Sequence, residues 1–247
     1  MGIMPMIELS AIDGSVQAYR SGDETAPGVL FFIDAIGLRP QILQMCDRIA
    51  SWGYSVLAPN VLYRSGSVDE VRPEGPLDTD AKRGEFFKRA MPRVRALTAE
   101  RAEADLPAYV ETLREHAGPG PIGVTGYCMG ARLAVRAAGL DGAVAACGGF
   151  HGGGLATEDE DSPHTRIATS RAAFVFGHAD GDRSMPPEQV ARLEEALVEA
   201  QRPHTNEIYP GAAHGYTMAD TTSYDEASAE RHFAELKALL AERLRRA

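Results

Sequence analysis

The spacing of apolar and polar positions changes period in a regular way along this chain. Met6-Ile7-Glu8-Leu9-Ser10 and Ser15-Val16-Gln17-Ala18-Tyr19 alternate and are joined by Asp13-Gly14, which predicts an antiparallel hairpin whose tight turn uses glycine's access to positive φ. Val29-Leu30-Phe31-Phe32-Ile33 is an unbroken apolar run, the pattern of a strand covered on both faces of a parallel sheet. A helix from about Pro40 to Trp52 follows, opened by proline and closed by Gly53, and then a strand, Tyr54–Ala58, ended by Pro59. Beyond residue 98 a helix is predicted over Ala99–His116, with Leu106, Tyr109, Val110 and Leu113 on one face. Alternation then takes over: strand Pro121–Thr125, helix Met129–Ala138, strands Gly142–Ala146 and Ala172–Phe176, helix Pro186–Gln201, strand Asn206–Tyr209 and a last helix from Tyr224 to Arg245. Strands alternating with helices build a mostly parallel central sheet with helices on both faces, so the fold class is α/β with an added N-terminal antiparallel hairpin.

Residues 64–98 interrupt this rhythm. Gly, Pro, Asp and Arg dominate there, with one short amphipathic piece around Phe86–Met91. A polar excursion of this length between core elements is usually functional or mobile; it reads either as a cap-like insertion or as a surface loop.

Composition narrows the classes. A chain of 247 residues fits one α/β domain spanning 1–247 and buries enough surface to need no covalent staples. A formal net charge of −10 with no long Lys/Arg run repels phosphate backbones, so nucleic acid is not an expected partner. No apolar run approaches the length of a membrane helix, and Met1–Glu8 lacks the charged and apolar regions of a secretory signal. The three cysteines, Cys46, Cys128 and Cys147, form no metal-binding or disulfide spacing. A reducing, cytoplasmic setting is expected.

The candidate chemistry begins at Gly126-Tyr127-Cys128-Met129-Gly130, where an apolar strand meets a helix. This is the G-x-S-x-G nucleophile-elbow pattern with Cys in place of Ser. A side chain at either glycine is expected to collide with the neighbouring strand or helix. The thiol would sit at the carboxyl end of the strands and at a helix N-terminus, whose partial positive charge favours thiolate. An α/β-hydrolase triad runs nucleophile, acid, histidine along the chain. Past the strand Ala172–Phe176 comes an acidic loop with Asp180 and Asp182, and past Asn206–Tyr209 comes His214 on a loop of small residues. His214 would take the Cys128 proton or stabilise the thiolate, and an aspartate would hold its tautomer; spacing alone leaves both aspartates open. His151, in Phe150-His151-Gly152-Gly153-Gly154, falls at a strand end and is expected to line the pocket. His151 and His164 lack a third ligand at useful spacing, so no metal is expected.

These motifs together, from about Val29 to the C-terminal helix, resemble the dienelactone hydrolase family of α/β-hydrolases. The resemblance implies an acid about four residues before the proline opening the next helix, which selects Asp182 relative to Pro186. It implies an oxyanion hole from the amides of Ala35 and Met129, and a modulating acid after the third strand, where Asp34 stands in place of the family's frequent Glu. Family members acting on dienelactones also place an arginine about four residues past the histidine; Met218 stands there, and Arg39, Arg64 or Arg183 could serve instead. The expected activity is cleavage of a small ester or lactone through Cys128, His214 and Asp182, with no cofactor. The competing expectations are a thioesterase or general carboxylesterase on the same fold, a non-catalytic binding protein of that fold, and a redox sensor using Cys128 with Cys147.

Overall fold

One eight-stranded sheet organises the molecule, in the order β1-β2-β4-β3-β5-β6-β7-β8. The structure, a computed structural model, describes residues 6–244; the first five residues, part of the segment read above as no signal, and Arg245, expected to end the last helix, lie outside them. The strands are β1 (Met6–Ala11), β2 (Gly14–Ser21), β3 (Gly28–Phe32), β4 (Ser55–Pro59), β5 (Ile122–Tyr127), β6 (Val144–Phe150), β7 (Ala173–Ala179) and β8 (His204–Tyr209). β1 and β2 pair antiparallel, β2 joins β4 antiparallel, and every other pairing is parallel. The hairpin turn is Ile12-Asp13 rather than Asp13-Gly14, and Gly14 opens β2 at φ +139°.

The helices are α1 (Pro40–Ala50), α2 (Val68–Val71), α3 (Asp80–Ala96), α4 (Ala99–Glu115), α5 (Met129–Leu140), α6 (Pro187–Glu199) and α7 (Glu226–Arg243). Successive strand residues point to opposite faces, and β6 shows where each face leads. A Cβ at Gly148 would meet Leu236 of α7, and one at Gly149 would meet the Phe176 ring and, farther off, Ala131 of α5. α1 shares the α7 face, through Arg48–Glu230 and Trp52 against Phe233. α4 shares the α5 face, through Glu103–Arg136. The buried runs of β3, β4 and β5 lie between these layers, which is why their sequences do not alternate. No helix is long and apolar enough to cross a membrane among the described residues.

Two stretches carry more regular structure than their apolar pattern predicts. β6 and β7 run on to Phe150 and Ala179, through Gly148-Gly149 and Gly177-His178, which carry no apolar signal. Glycine is used there for close packing: a Cβ at Gly149 would lie 2.7 Å from the Phe176 ring. The second part is the 64–98 excursion, which holds α2 and the 17-residue α3. Gly84 and Pro92 lie inside α3 and hide it from a reading by propensity, but Thr79 caps it by accepting from the Lys82 amide at 3.3 Å.

The chain leaves β3 towards β4 on one side and later returns to β5 on the other. The switch point of the sheet therefore lies between the carboxyl ends of β3 and β5, where open α/β sheets form their ligand crevice.

Candidate active site

The turn after β5 is built by close approach. Cys128 has φ +53° and ψ −117°, a conformation that a side-chain-bearing residue adopts only when its surroundings hold it there. A Cβ on Gly126 would lie 2.1 Å from the Gly130 carbonyl oxygen, and one on Gly130 would lie 2.3 Å from that of Phe32. Both glycines are thus required by backbone contact, one against the following helix and one against the end of β3. Tyr127 anchors the turn from beneath: His232 Nδ1 donates to the Ala229 carbonyl, so its Nε2 accepts from the Tyr127 hydroxyl at 3.3 Å.

Three loops at this edge bring Cys128, His214 and Asp182 together. Cys128 Sγ is 3.1 Å from His214 Nε2, and His214 Nδ1 is 2.6 Å from Asp182 Oδ2. The other Asp182 oxygen accepts from the Ser184 amide at 2.8 Å and its hydroxyl at 2.7 Å. Asp180, the alternative acid, does different work: it accepts from the Gly211 amide at 2.8 Å and donates its own amide to Ala212 at 2.7 Å, tying the acid loop to the histidine loop.

The electrostatics favour charge separation along this chain. Burial alone pushes the Cys128 thiol up, but the adjacent His214 charge and hydrogen bond, helped by the Met129 amide, outweigh it and bring the thiol below its ordinary range. Burial likewise disfavours a charged His214, yet the thiolate and the Asp182 carboxylate push it up to about 10. Asp182, despite burial, is held down to about 2 by His214 and Ser184. Both shifts act in the direction that favours a thiolate–imidazolium pair over the neutral thiol and imidazole.

The Asp34–Gly37 turn faces the thiol. The Asp34 carbonyl accepts from the Gly37 amide at 3.2 Å, so the other end of that planar trans peptide, the Ala35 N–H, points the opposite way. The next peptide is held at both ends: Arg93 Nη2 donates to the Ala35 carbonyl at 3.1 Å, and Asp34 Oδ1 accepts from the Ile36 amide at 3.0 Å. No acceptor takes the Ala35 N–H among the described residues.

Asp34 lines the cavity, yet its carboxylate is engaged by Arg39, at 2.7 Å and 3.1 Å. Arg39 is itself buried and grips Asp220 on its other edge at 2.6 Å and 3.1 Å. Asp34 is therefore a fixed negative charge that works against the Cys128 thiolate, rather than a carboxylate free to swing.

The sequence-selected arginines divide. Arg183 lines the cavity. Arg39 is committed to its two aspartates, and Arg64 is a correction: it lies away from the site, bonded to Asp13 at 2.5 Å and Asp105 at 2.6 Å. Asp105 is buried and needs a counter-charge, which is the physical reason Arg64 is there. Sequence reasoning missed Arg83 and Arg132, which both line the cavity. Arg132, one helical turn past Cys128, has no hydrogen-bonding or ion-pairing partner among the described residues, and burial lowers its basicity; its place in the first turn after the elbow was the available signal.

His151 lines the cavity, buried and uncharged, with Nε2 bonded to the Thr217 hydroxyl at 2.7 Å and its ring 5.4 Å from that of His214. Cys147 is buried on β6 beside Val124, four residues before Cys128. That is roughly 13 Å along the strand, too far for a disulfide partner.

Cys128, His214, Asp182, Asp34, Ala35 and His151 open onto one cavity of about 710 Å³. Comparison with known proteins places the chain in context. A Synechocystis sp. protein named "Putative carboxymethylenebutenolidase" is 27% identical over 218 residues, covering 86% of this chain and 85% of its own. A Salmonella typhi protein of the same name is 25% identical, covering 85% and 75%. Among solved structures, a "Putative Dienelactone Hydrolase" from Klebsiella pneumoniae superposes with a TM-score of 0.79 at 22% identity, covering 98% of this chain and 100% of that one. A dienelactone hydrolase-like promiscuous phosphotriesterase from metagenomic libraries follows at 0.71 and 19% identity, covering 99% and 100%. The dienelactone hydrolase family model itself matches residues 15–244, and with an elbow, an acid loop and a histidine loop in the order that α/β-hydrolases use, this chain belongs to the dienelactone hydrolase family.

Proposed function

We propose that this protein, by family a hydrolase of esters or lactones, cleaves its substrate through a Cys128-His214-Asp182 triad and an acyl-thioester intermediate. The observation that carries the reading is the continuous hydrogen-bonded chain from Sγ to Asp182, at 3.1 Å and 2.6 Å, on the floor of the cavity. The Cys128 thiolate attacks the carbonyl carbon and forms the C–S bond. The developing oxyanion is held by the Ala35 and Met129 amides, donors of a kind that contribute about 3 kcal/mol each. Collapse breaks the C–O bond, and the His214 imidazolium gives its proton to the departing alkoxide. Neutral His214 then takes a proton from water as that water attacks the thioester. The C–S bond breaks, the acid leaves, and the thiolate–imidazolium pair is restored. For a lactone the alcohol and acid are one product.

Arg132 supports a substrate with an anionic group: it stands in the cavity wall with no hydrogen-bonding or ion-pairing partner among the described residues, its favourable charge interaction being with Cys128 alone, which leaves its donors to a ligand. α3 supports a cap role for residues 64–98, since Arg83, Phe87, Met91 and Val94 all reach the cavity from it.

The test is turnover of p-nitrophenyl acetate by the wild type, Cys128→Ala and His214→Asn. Expected are loss of activity in both variants and, with rapid acid quench of the wild type, an acetyl group on the peptide carrying Cys128. Full activity in Cys128→Ala overturns the proposal. A parallel panel of acyl-CoA thioesters separates an esterase from a thioesterase using the same residues.

A further inference from the structure

The cavity has two unlike walls. Arg132, Thr157, Arg183, Ser184 and Gln189 make one side polar. The rest of the lining is largely apolar, with Ile36, Met218 and a stripe on α3. That stripe is Phe87, Met91 and Val94, on the same helical face as Arg83 one turn earlier, the i, i+4, i+8, i+11 spacing. From Phe87 to Val94 it extends roughly 10 Å at ~1.5 Å per residue, the length of a hexyl to octyl chain.

The apolar face meets the main core at its far end, where Val94 is part of it and Phe87 packs against it. α3 is seated by Phe86 and Ala90, which pack with Ile36 and Leu77 in a small cluster of their own. Phe87 and Met91 are turned to the cavity, and Met91 keeps 38% of its surface exposed. Three methionines, Met91, Met129 and Met218, line the cavity, and the flexible thioether side chain adapts to apolar ligands of varied shape. A volume of about 710 Å³ is also within the range of roughly 300–1,000 Å³ that accommodates drug-sized ligands, well beyond what a small polar lactone fills.

We infer that the substrate is an ester carrying an extended apolar group, alkyl or aryl, that lies along the Phe87-Met91-Val94 stripe of α3. This rests on the ester-cleaving reading of Cys128 and adds its substrate class. The geometry makes Met91 and Phe87 the residues that set specificity, with the ester carbonyl at Sγ and the remainder of the substrate towards Arg132.

The experiment measures kcat/KM for p-nitrophenyl acetate, butyrate, hexanoate and octanoate, and for acetates of ethanol, butanol, hexanol and octanol followed by acid release. The expected result is a rise of about three- to fourfold for each buried methylene in at least one series, as far as the hexyl member. Met91→Ser should reduce the hexyl-to-shortest ratio, and Met91→Trp, which fills the stripe, should invert it in favour of the shortest ester. Lys88→Ser, on the exposed side of the same helix, should keep the wild-type ratio. Turnover with no length dependence in either series overturns this inference and leaves the hydrolase reading standing. A ratio unchanged in both Met91 variants overturns it as well, because both substitutions are at a partly exposed side chain that the fold tolerates losing. Absence of turnover with every ester overturns both.

Discussion

Arg93 of α3 donates to the carbonyl of Ala35, at 3.1 Å, and so ties a helix of the 64–98 excursion to the Ala35–Ile36 peptide, the one that follows the amide proposed to face the oxyanion. Because Asp34 holds the other end of that peptide through the Ile36 amide, Arg93 is a positioning residue for the Ala35 N–H. Arg93→Met should lower kcat about tenfold, the loss of a single charged hydrogen bond of ~1.5 kcal/mol, while KM changes little. Arg93→Lys should recover part of the loss. Steady-state kinetics on one ester decides it; an effect confined to KM, or a loss equal in Met and Lys variants, would count against a positioning role.

The pH dependence follows from the coupled pair. The thiol is depressed and His214 raised to about 10, so the reactive ion pair exists between the pH where the thiolate forms and about 10. Below that window the sulfur is protonated; above it the imidazolium that protonates the leaving group is lost. Iodoacetamide should alkylate Cys128 at pH 7 faster than an ordinary thiol reacts, and kcat/KM should decline as pH rises through about 10. Asp182→Asn removes a charge that raises His214, so the alkaline limb should move to lower pH and the alkylation limb to higher pH. Rate profiles of the two proteins that superimpose would contradict the arrangement.

The fold was legible in the sequence wherever burial was two-sided or punctuation was strong. Val29–Ile33 could only be a covered strand, and the order of elbow, acid loop and histidine loop identified the three residues that the structure brings together. α3 was not legible, because its core contacts are few and its sequence is broken by Gly84 and Pro92. With α3 hidden, Arg83 and Phe87 could not be assigned to the cavity, nor Arg93 to the Ala35 carbonyl. The role of Arg64 was misread for a related reason: its partner Asp105 sits on α4 as a buried carboxylate, and a helical sequence does not show which of its acids faces inward. Asp34 is a third case. Its position after β3 was clear, but its capture by Arg39 and Asp220 joins groups 181 residues apart in the chain.

The elbow glycines make a stability prediction independent of chemistry. A Cβ on Gly130 would lie 2.3 Å from the Phe32 oxygen and 2.6 Å from that of Ile33, both backbone atoms that cannot move without shifting β3. Gly130→Ala should therefore be among the severe single substitutions, about 4 kcal/mol or more, which for a chain of this size corresponds to a Tm lower by roughly 10 °C. Gly53→Ala is the comparison: Gly53 has φ +96° but no atom within 4 Å of its Cβ position, so the cost there is conformational only, about 1 kcal/mol. Calorimetry of both variants separates backbone collision from backbone strain.

Arg64 gives the complementary test, a residue whose loss should be felt in stability and not in catalysis. It bonds the Asp105 carboxylate through both terminal nitrogens, at 2.6 Å and 3.0 Å, while Tyr63 donates to the same group at 3.0 Å. Arg64→Met leaves Asp105 buried with hydroxyl donors but no counter-charge, a change that costs about 3 kcal/mol. Replacing the pair together, Arg64→Met with Asp105→Leu, removes the uncompensated charge and should restore most of the loss. KM and kcat should stay at wild-type values in both proteins when measured well below the unfolding transition, since Arg64 lines a separate recess with Leu62 and Leu97 rather than the cavity at Cys128. A rise in KM for Arg64→Met without a change in Tm would return Arg64 to the substrate-binding role that its position in the sequence suggested.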